Sequence, residues 1–340
     1  MTERPPVAIR PLDVTSASSL AIAFEIVRDC ELAAAGWTDS TLESVTSNLT
    51  GPRAWLELHR LAYVDRTPSA LLAAELDLPA REVFLDAFAV GPRAAELQHL
   101  LLAGGLKAAA NVAEQDGDSV TRDIEDPYEM SADVWQVLAA CFVQDDSYAA
   151  QIQALGFRRI RRFWRMICDL DGTSSTEPPA PVGVTRRVVA GDADERLLHR
   201  LFHESFAEHF GHTVEQPFDE WMAEVRANAG NREDGWWIAE LDGKPVAMCI
   251  VDDSKAAFGE GYVRTLGVLS EARGRGLGRW LLGCAASDAV GRGRAAIGLA
   301  VDGANTSGAT ALYESVGYRI RQEIDLSCYP LDSMQGRARR

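Results

Sequence analysis

The stretch Val263–Gly293, VRTLGVLSEARGRGLGRWLLGCAASDAVGRG, decides how the rest of the chain is read. An apolar run of β type ends at Val268 and a short loop follows. Arg273-Gly274-Arg275-Gly276-Leu277-Gly278 then opens a segment whose Trp280, Leu281, Leu282 and Ala285 continue an apolar helical face. Glycines at 274, 276 and 278 let a backbone approach a ligand closely, and the first-turn N–H groups of a helix have no partner of their own. Strand, glycine loop and helix N-terminus in that order predict a phosphate cradle. Arg273, Arg275 and Arg279 place positive charge beside it, which focuses an anion onto the turn. A glycine-rich turn with solvated arginines has the same letters, so the motif alone leaves both readings open.

Context narrows them. A Rossmann site wants GxGxxG after the first strand of a parallel unit and an acidic residue about 20 residues on. Here the order is Arg-x-x-Gly-x-Gly after an interior strand, and the Gly-Lys-Ser/Thr of a P-loop is missing. Leu266-Gly267-Val268, the loop RGRGLG and the downstream LAVDGANTSGATALYESVGY (Leu299–Tyr318) resemble the cofactor-binding core of the GNAT acyltransferases. The resemblance is strongest to tandem members with two such domains in one chain, of mycothiol-synthase-like architecture. The close match spans residues 260–320, and a weaker, fold-level match covers both halves.

The resemblance implies an acyl-CoA-dependent N-acyltransferase, with acetyl-CoA as the expected co-substrate. Arg273, Gly276 and Gly278 fall on the family's Arg/Gln-x-x-Gly-x-Gly/Ala pattern, which implies that the amides of residues 273–279 hold the pyrophosphate. It further implies that main-chain groups around Leu266, Gly267 and Val268 pair with the pantetheine arm and polarise the thioester carbonyl. Asn305, Gly308 and Ala309 are implied cofactor contacts, and Tyr313 the acid that protonates the departing thiolate. A phenol suits that task because its high pKa keeps it protonated at neutral pH. A tyrosine packing an amphipathic helix with Leu312 and Val316 is the structural alternative.

Two features bear on the acceptor. Glu260 precedes the strand and shares a face with Tyr262 and Arg264, so it could deprotonate an ammonium directly or through water; an ordinary strand-end carboxylate is the equal alternative. In mycothiol-synthase-like enzymes a glutamate lies nearby, and Tyr262 falls closest to it in register. The segment Phe202–Trp221 offers Glu204, Glu208, His209, His212 and Trp221 as carboxylates and aromatic faces for a cationic amine. Phe202, Phe206 and Phe210 recur at helical spacing, which assigns part of that stripe to the core. His199 and His203 lack the glutamate of an HExxH motif, and no metal is expected.

The 340 residues are about twice an ordinary domain. DLDGTSSTEPPAP, residues 169–181, reads as a linker between a first domain, 1–168, and a second, 182–332, with a basic tail at 333–340. The halves repeat one plan. VAIRPL (Val7–Leu12) and VGVTRRV (Val182–Val188) each open as a strand, and strand pairs follow from Trp55 and from Trp236. FLDAFAV and YVRTLGV each precede a long helix, and LGF and VGY each lead into a last strand. The fold class is therefore α/β (α+β): two tandem GNAT-like domains, each with a mixed, mostly antiparallel sheet flanked by helices. Aligning Val90 with Val268 puts Ala95–Leu100 in place of RGRGLG; aligning Gly156 with Gly317 puts Ile152 at Tyr313 and Gln144 at Asn305. The first domain is expected to be a degenerate copy. AGWTDS (Ala35–Ser40) either lines the acceptor cleft or caps a helix through Thr38 or Asp39.

Composition sets the outer bounds. A hydrophobic fraction of 47% predicts a globular chain, and a net charge of −16 speaks against nucleic acid or an anionic membrane as partner. The N-terminus has no apolar run of signal-peptide type, which predicts a cytoplasmic protein. Six scattered cysteines without a CxxC pair read as isolated thiols, and none lies in a motif to carry an acyl-enzyme. The leading expectation is direct transfer to a primary amine of a small metabolite or antibiotic-like acceptor. A non-catalytic CoA-binding sensor and an enzyme fed by an acyl carrier protein stand beside it, the latter docking on arginines 273, 275, 279, 292 and 294.

Overall fold

The computed structural model describes residues 5–116, 134–207, 215–304 and 308–331. In chain order these form β1 (Val7–Pro11), α1 (Ala17–Ala35), α2 (Leu42–Thr50), β2 (Arg60–Val64), β3 (Thr67–Asp77), β4 (Glu82–Ala89), α3 (Ala94–Gln115), β5 (Gln136–Phe142), α4 (Asp146–Ala154) and β6 (Arg158–Asp169). The same plan then repeats as β7 (Val184–Val188), α5 (Asp192–Phe206), α6 (Phe218–Ala227), β8 (Trp236–Leu241), β9 (Lys244–Asp252), β10 (Glu260–Val268), α7 (Leu277–Gly291), β11 (Ala296–Asp302), α8 (Ala309–Ser315) and β12 (Arg319–Pro330).

The chain divides into two compact units, and they are not the contiguous halves expected from the linker at 169–181. The first comprises residues 1–162 and 324–340, the second residues 163–323. The reason is strand exchange. In the first unit the order is β1-β2-β3-β4-β5 and then the end of β12, whose Ile324–Pro330 pair antiparallel with Phe142–Gln136 of β5. In the second it is β7-β8-β9-β10-β11 and then the end of β6, whose Phe163–Asp169 pair antiparallel with Asp302–Ala296 of β11. Each sheet is antiparallel except at one neighbour pair, β4 with β5 and β10 with β11. Those parallel pairs need crossovers, which α3 and α7 supply.

Local chemistry explains the element ends. Ser16 caps α1 by accepting the Ser19 N–H, and Gly36 closes it with φ of 76°. Thr41 and Ser44 form a capping box on α2. Thr38 and Ser40 instead both donate to the Glu31 carboxylate, so neither Thr38 nor Asp39 is the cap that the AGWTDS segment suggested. Asp242-Gly243 turns β8 into β9 with φ of 53° and 75°, the pair of left-handed residues that a tight hairpin demands. In the second unit α7 and α8 cover one face of the sheet, burying Trp280, Leu281 and Leu282, while α5 and α6 cover the other against Trp236, Ile238, Met248 and Ile250. The segment after β6 forms no helix or strand through residue 183 and is strapped along α7. Trp280 donates its indole N–H to the Pro178 carbonyl at 3.0 Å, and Ser287 its hydroxyl to the Thr176 carbonyl at 3.1 Å.

All six cysteines are free. Among the described residues, no helix is long and apolar enough to cross a membrane.

Candidate active site

The site of the second unit begins with a defect in strand pairing. β10 and β11 pair in parallel only from Glu260–Val263 against Ala296–Leu299. The register of β10 against β9 slips between Val263 and Thr265, which makes Arg264 the extra residue of a bulge. A bulge bends and twists its strand. Beyond it Thr265–Val268 keep their β9 partners but have none on the β11 side, and the two strands part.

The gap is the floor of a cavity of about 680 Å³ lined by residues 263–268 of β10 and 299–302 of β11. The N-terminus of α7 forms one wall. Gly276 is its N-cap at φ of 83°, with no capping side chain, and Gly274, Gly276, Leu277, Gly278 and Arg279 all face the cavity. The first-turn N–H groups therefore open onto it. At Gly276 the nearest neighbour of an added Cβ would be Pro181 Cγ at 3.8 Å, so the glycine is demanded by its backbone angle, not by crowding. Gly267 is the opposite case: a Cβ there would lie 2.8 Å from the Cβ of Ser205.

Three of the arginines read from the sequence take different positions. Arg273 turns inward and donates to the Val268 carbonyl at 3.1 Å and the Ser205 carbonyl at 3.3 Å, holding the end of α5 against β10. Arg279 lines the cavity and donates to the Ser315 hydroxyl at 2.7 Å, joining α7 to α8. Arg275 is exposed.

Tyr313 on α8 lines the same cavity and is only 9% exposed. Burial, with the neighbouring Cys249 thiol second, pushes its hydroxyl up to about 12, so it carries its proton across the physiological range. Gly308 and Ala309 line the cavity, whereas Asn305 lies outside the described residues.

The structure corrects the expectation for the base. Glu260 is 4% exposed and accepts hydrogen bonds from Arg165 at 2.8 Å and from Arg321. It sits at the paired end of β10, away from the gap, and is not among the cavity-lining residues. The Arg165 guanidinium crosses β11 at Gly298, where a Cβ would fall 1.7 Å from its Nη1. Glu260 is thus the centre of a buried ion-pair cluster, with both its oxygens engaged. Tyr262 stands beside that cluster, its ring 5.0 Å from the guanidinium carbons of both Arg165 and Arg264. Among the described lining residues the carboxylate is Asp302, at the end of β11.

The acceptor side also differs from expectation. Trp221 is 5% exposed and packs in the α5–α6 core, 5.4 Å from His199 and 5.3 Å from Phe202 between ring centres, so it is not a cavity wall. Glu204 is exposed and does not line the cavity. Glu208, His209 and His212 lie outside the described residues. The observed wall is Phe163, Phe202, Ser205 and Phe206, with Arg264. Sequence reasoning missed Phe163 because it precedes the linker; its signal was the strand pattern of β6 continuing past residue 162. Among the described residues no group of His, Cys, Asp and Glu could hold a metal ion.

The equivalent gap in the first unit is only partly occupied, and a smaller cavity of about 260 Å³ is lined there by Asp86, Ala87 and Phe88 of β4 and Ala140, Cys141 and Phe142 of β5. β4 and β5 also pair only briefly, Glu82–Phe84 with Gln136–Leu138. Tyr148 of α4 enters behind that pairing, buried, and its hydroxyl accepts the Ala87 N–H at 3.0 Å. The helix that corresponds to α7 begins at Arg93, without glycine, and Arg93 pairs with Glu96 in its first turn.

A repeated six-stranded sheet with one parallel pair, opened by a bulge beside a glycine-capped helix, is a tandem GNAT fold. Residues 196–318, within the second unit, match the model of the Acetyltransferase (GNAT) family. It is similar to the mycothiol acetyltransferase of Streptomyces griseus subsp. griseus, with 31% identity over 183 residues, 53% of this chain and 56% of that protein. A second mycothiol acetyltransferase, from Beutenbergia cavernae, is 33% identical over 187 residues, 50% of this chain and 59% of its own. The chain thus spans somewhat over half the length of the curated relatives it matches. Among solved structures, a GCN5-related N-acetyltransferase from Sphaerobacter thermophilus superposes with a TM-score of 0.74 at 20% identity, covering 96% of both chains. A tandem GNAT protein from the clavulanic acid biosynthesis pathway gives 0.70 at 15% identity, over 96% of this chain and 99% of that one.

Proposed function

We propose that the second unit transfers an acetyl group from acetyl-CoA to a primary amine of a small metabolite, by direct attack within a ternary complex. The observation that carries this reading is the convergence of the α7 N-terminus, the edge of β10 without a β11 partner and Tyr313 on one cavity. The α7 amides hold the pyrophosphate, and the free main-chain groups of residues 264–268 orient the thioester and stabilise the oxyanion. The amine nitrogen attacks the carbonyl carbon; the C–N bond forms, the C–S bond breaks and the departing thiolate takes the Tyr313 proton. Asp302, rather than Glu260, is assigned to accept the proton that the amine loses. The names of the two curated relatives support an acceptor of the mycothiol-precursor kind.

Free acyl-CoA is favoured over a carrier-bound donor by the charges around α7. Arg292 and Arg294 are engaged by Asp234, Asp253 and Asp288, and Arg273 by backbone carbonyls, which leaves little positive surface for an acidic carrier. The first unit is assigned no donor site, because Tyr148 engages the Ala87 N–H and Glu96 stands in the first turn of α3.

Calorimetric titration with acetyl-CoA tests the reading. One site per chain is expected, lost in Gly276→Val, whose β-branched side chain is strained at φ of 83°. Retained binding in that variant sinks the cradle assignment, and two sites sink the assignment of the first unit.

A further inference from the structure

We propose that Ser205 receives the acceptor, its hydroxyl oxygen accepting a hydrogen bond from the attacking amine; this rests on the acetyl-transfer reading above. Ser205 lies in the last turn of α5, is 4% exposed and lines the cavity. Its Oγ is buried without a hydrogen-bond partner. A buried hydroxyl left unpaired is destabilising, and one that lines a cavity is satisfied by what enters it.

Position selects the acceptor over the donor. Ser205 Oγ lies 2.9 Å from where a Cβ of Gly267 would be, beside the run of β10 that has no β11 partner. Leu266 and Val268 pack towards the α7 core, while Met248, paired with Gly267, packs into the α5–α6 core. Ser205 therefore meets the gap from the face opposite the α7 cradle and Tyr313. A donor held on the α7 side leaves the α5 side for the nucleophile. There the neighbours of Ser205 are Phe163, Phe202 and Phe206, aromatic faces that suit the carbon skeleton of an amine or its cation. Arg273 ties the Ser205 main chain to β10, since its guanidinium bonds the carbonyls of both Ser205 and Val268.

Ser205→Ala and Ser205→Cys in the full chain test this, with desacetylmycothiol, glucosamine and tryptamine as amine probes and free-thiol release as the assay. The amine turned over fastest by the unaltered chain is carried forward. In Ser205→Ala its kcat/KM is expected to fall about tenfold, mostly through KM, as for one lost hydrogen bond. Acetyl-CoA affinity should stay within about twofold, and the melting temperature should hold or rise, because the unpaired hydroxyl is gone. Ser205→Cys should resemble Ala, since a thiol fills the space but accepts weakly. Unchanged amine kinetics in Ser205→Ala with acetyl-CoA still bound overturn the Ser205 assignment alone. Equal losses in amine kinetics, acetyl-CoA affinity and melting temperature overturn it in favour of a packing role. Failure of the unaltered chain to bind acetyl-CoA overturns the underlying functional reading.

Discussion

The hydroxyl of Tyr148 accepts the backbone N–H of Ala87 at 3.0 Å, in the first unit's counterpart of the gap that forms the cavity of the second. One side chain thus takes the main-chain donor that a thioester would need there and narrows the space to a cavity of about 260 Å³. The second unit has Gly308 and Ala309 at the start of the equivalent helix, too small to do the same.

Emptying the first gap should not create a second donor site, because the glycine cradle is missing as well. Tyr148→Ala is expected to cost roughly 3–5 kcal/mol of stability, as for other buried aromatic truncations. The stoichiometry of acetyl-CoA in calorimetry should stay at one.

Tyr313→Phe should lower kcat by about a hundredfold while leaving acetyl-CoA affinity nearly unchanged, as expected for loss of a general acid. Because the hydroxyl is pushed up to about 12, the unaltered enzyme should show no loss of activity from Tyr313 ionisation between pH 7 and pH 10. Single-turnover thiol release and calorimetry separate the two effects.

Glu260 and Asp302 should fail in different ways. Glu260→Gln removes the charge that neutralises Arg165 and Arg321, and should cost roughly 3–5 kcal/mol in chemical denaturation while leaving the shape of the pH–rate profile intact. Asp302→Asn should leave stability nearly unchanged and lower kcat at saturating acetyl-CoA.

The first unit should be more stable in mild acid than in mild base. Burial, helped by the charges of Glu75 and Glu31, raises the Asp86 carboxyl from 3.8 to about 7, and burial raises Glu82 from 4.5 to about 7. Between about pH 4 and pH 7 the native state therefore binds more protons than the unfolded chain, so stability falls as pH rises through that window. The melting temperature at about pH 5.5 should exceed that at about pH 8, and Asp86→Asn should flatten the difference.

The cavity wall at the start of α7 was legible in the sequence because its signals are local. Arg273 to Arg279 are contiguous in the chain, and glycine at 276 has a backbone reason that a motif can carry. The duplicated plan was legible through recurring strand patterns and the Gly156 and Gly317 turns. What escaped was set by long-range partners. Glu260 looked like a free strand-end carboxylate until Arg165 and Arg321 came beside it from strands 95 and 61 residues away in sequence. Trp221 looked like an acceptor contact because its residue type suits one, but packing against His199 and Phe202 claimed it. Ser205 gave no sequence signal, since an unpaired hydroxyl is visible only once its surroundings are folded.

The exchange of β6 and β12 makes each half of the gene product dependent on the other for completion. A fragment beginning at residue 182 retains the whole glycine cradle and Tyr313, yet it lacks Phe163–Asp169, leaving the edge of β11 without its neighbour and the cavity without Phe163. A fragment ending at residue 181 likewise loses Ile324–Pro330 from β5. Bare strand edges of this kind invite aggregation. A cut at the linker therefore takes a strand from both sheets at once, whereas a fragment of residues 163–323 keeps Phe163–Asp169 beside β11.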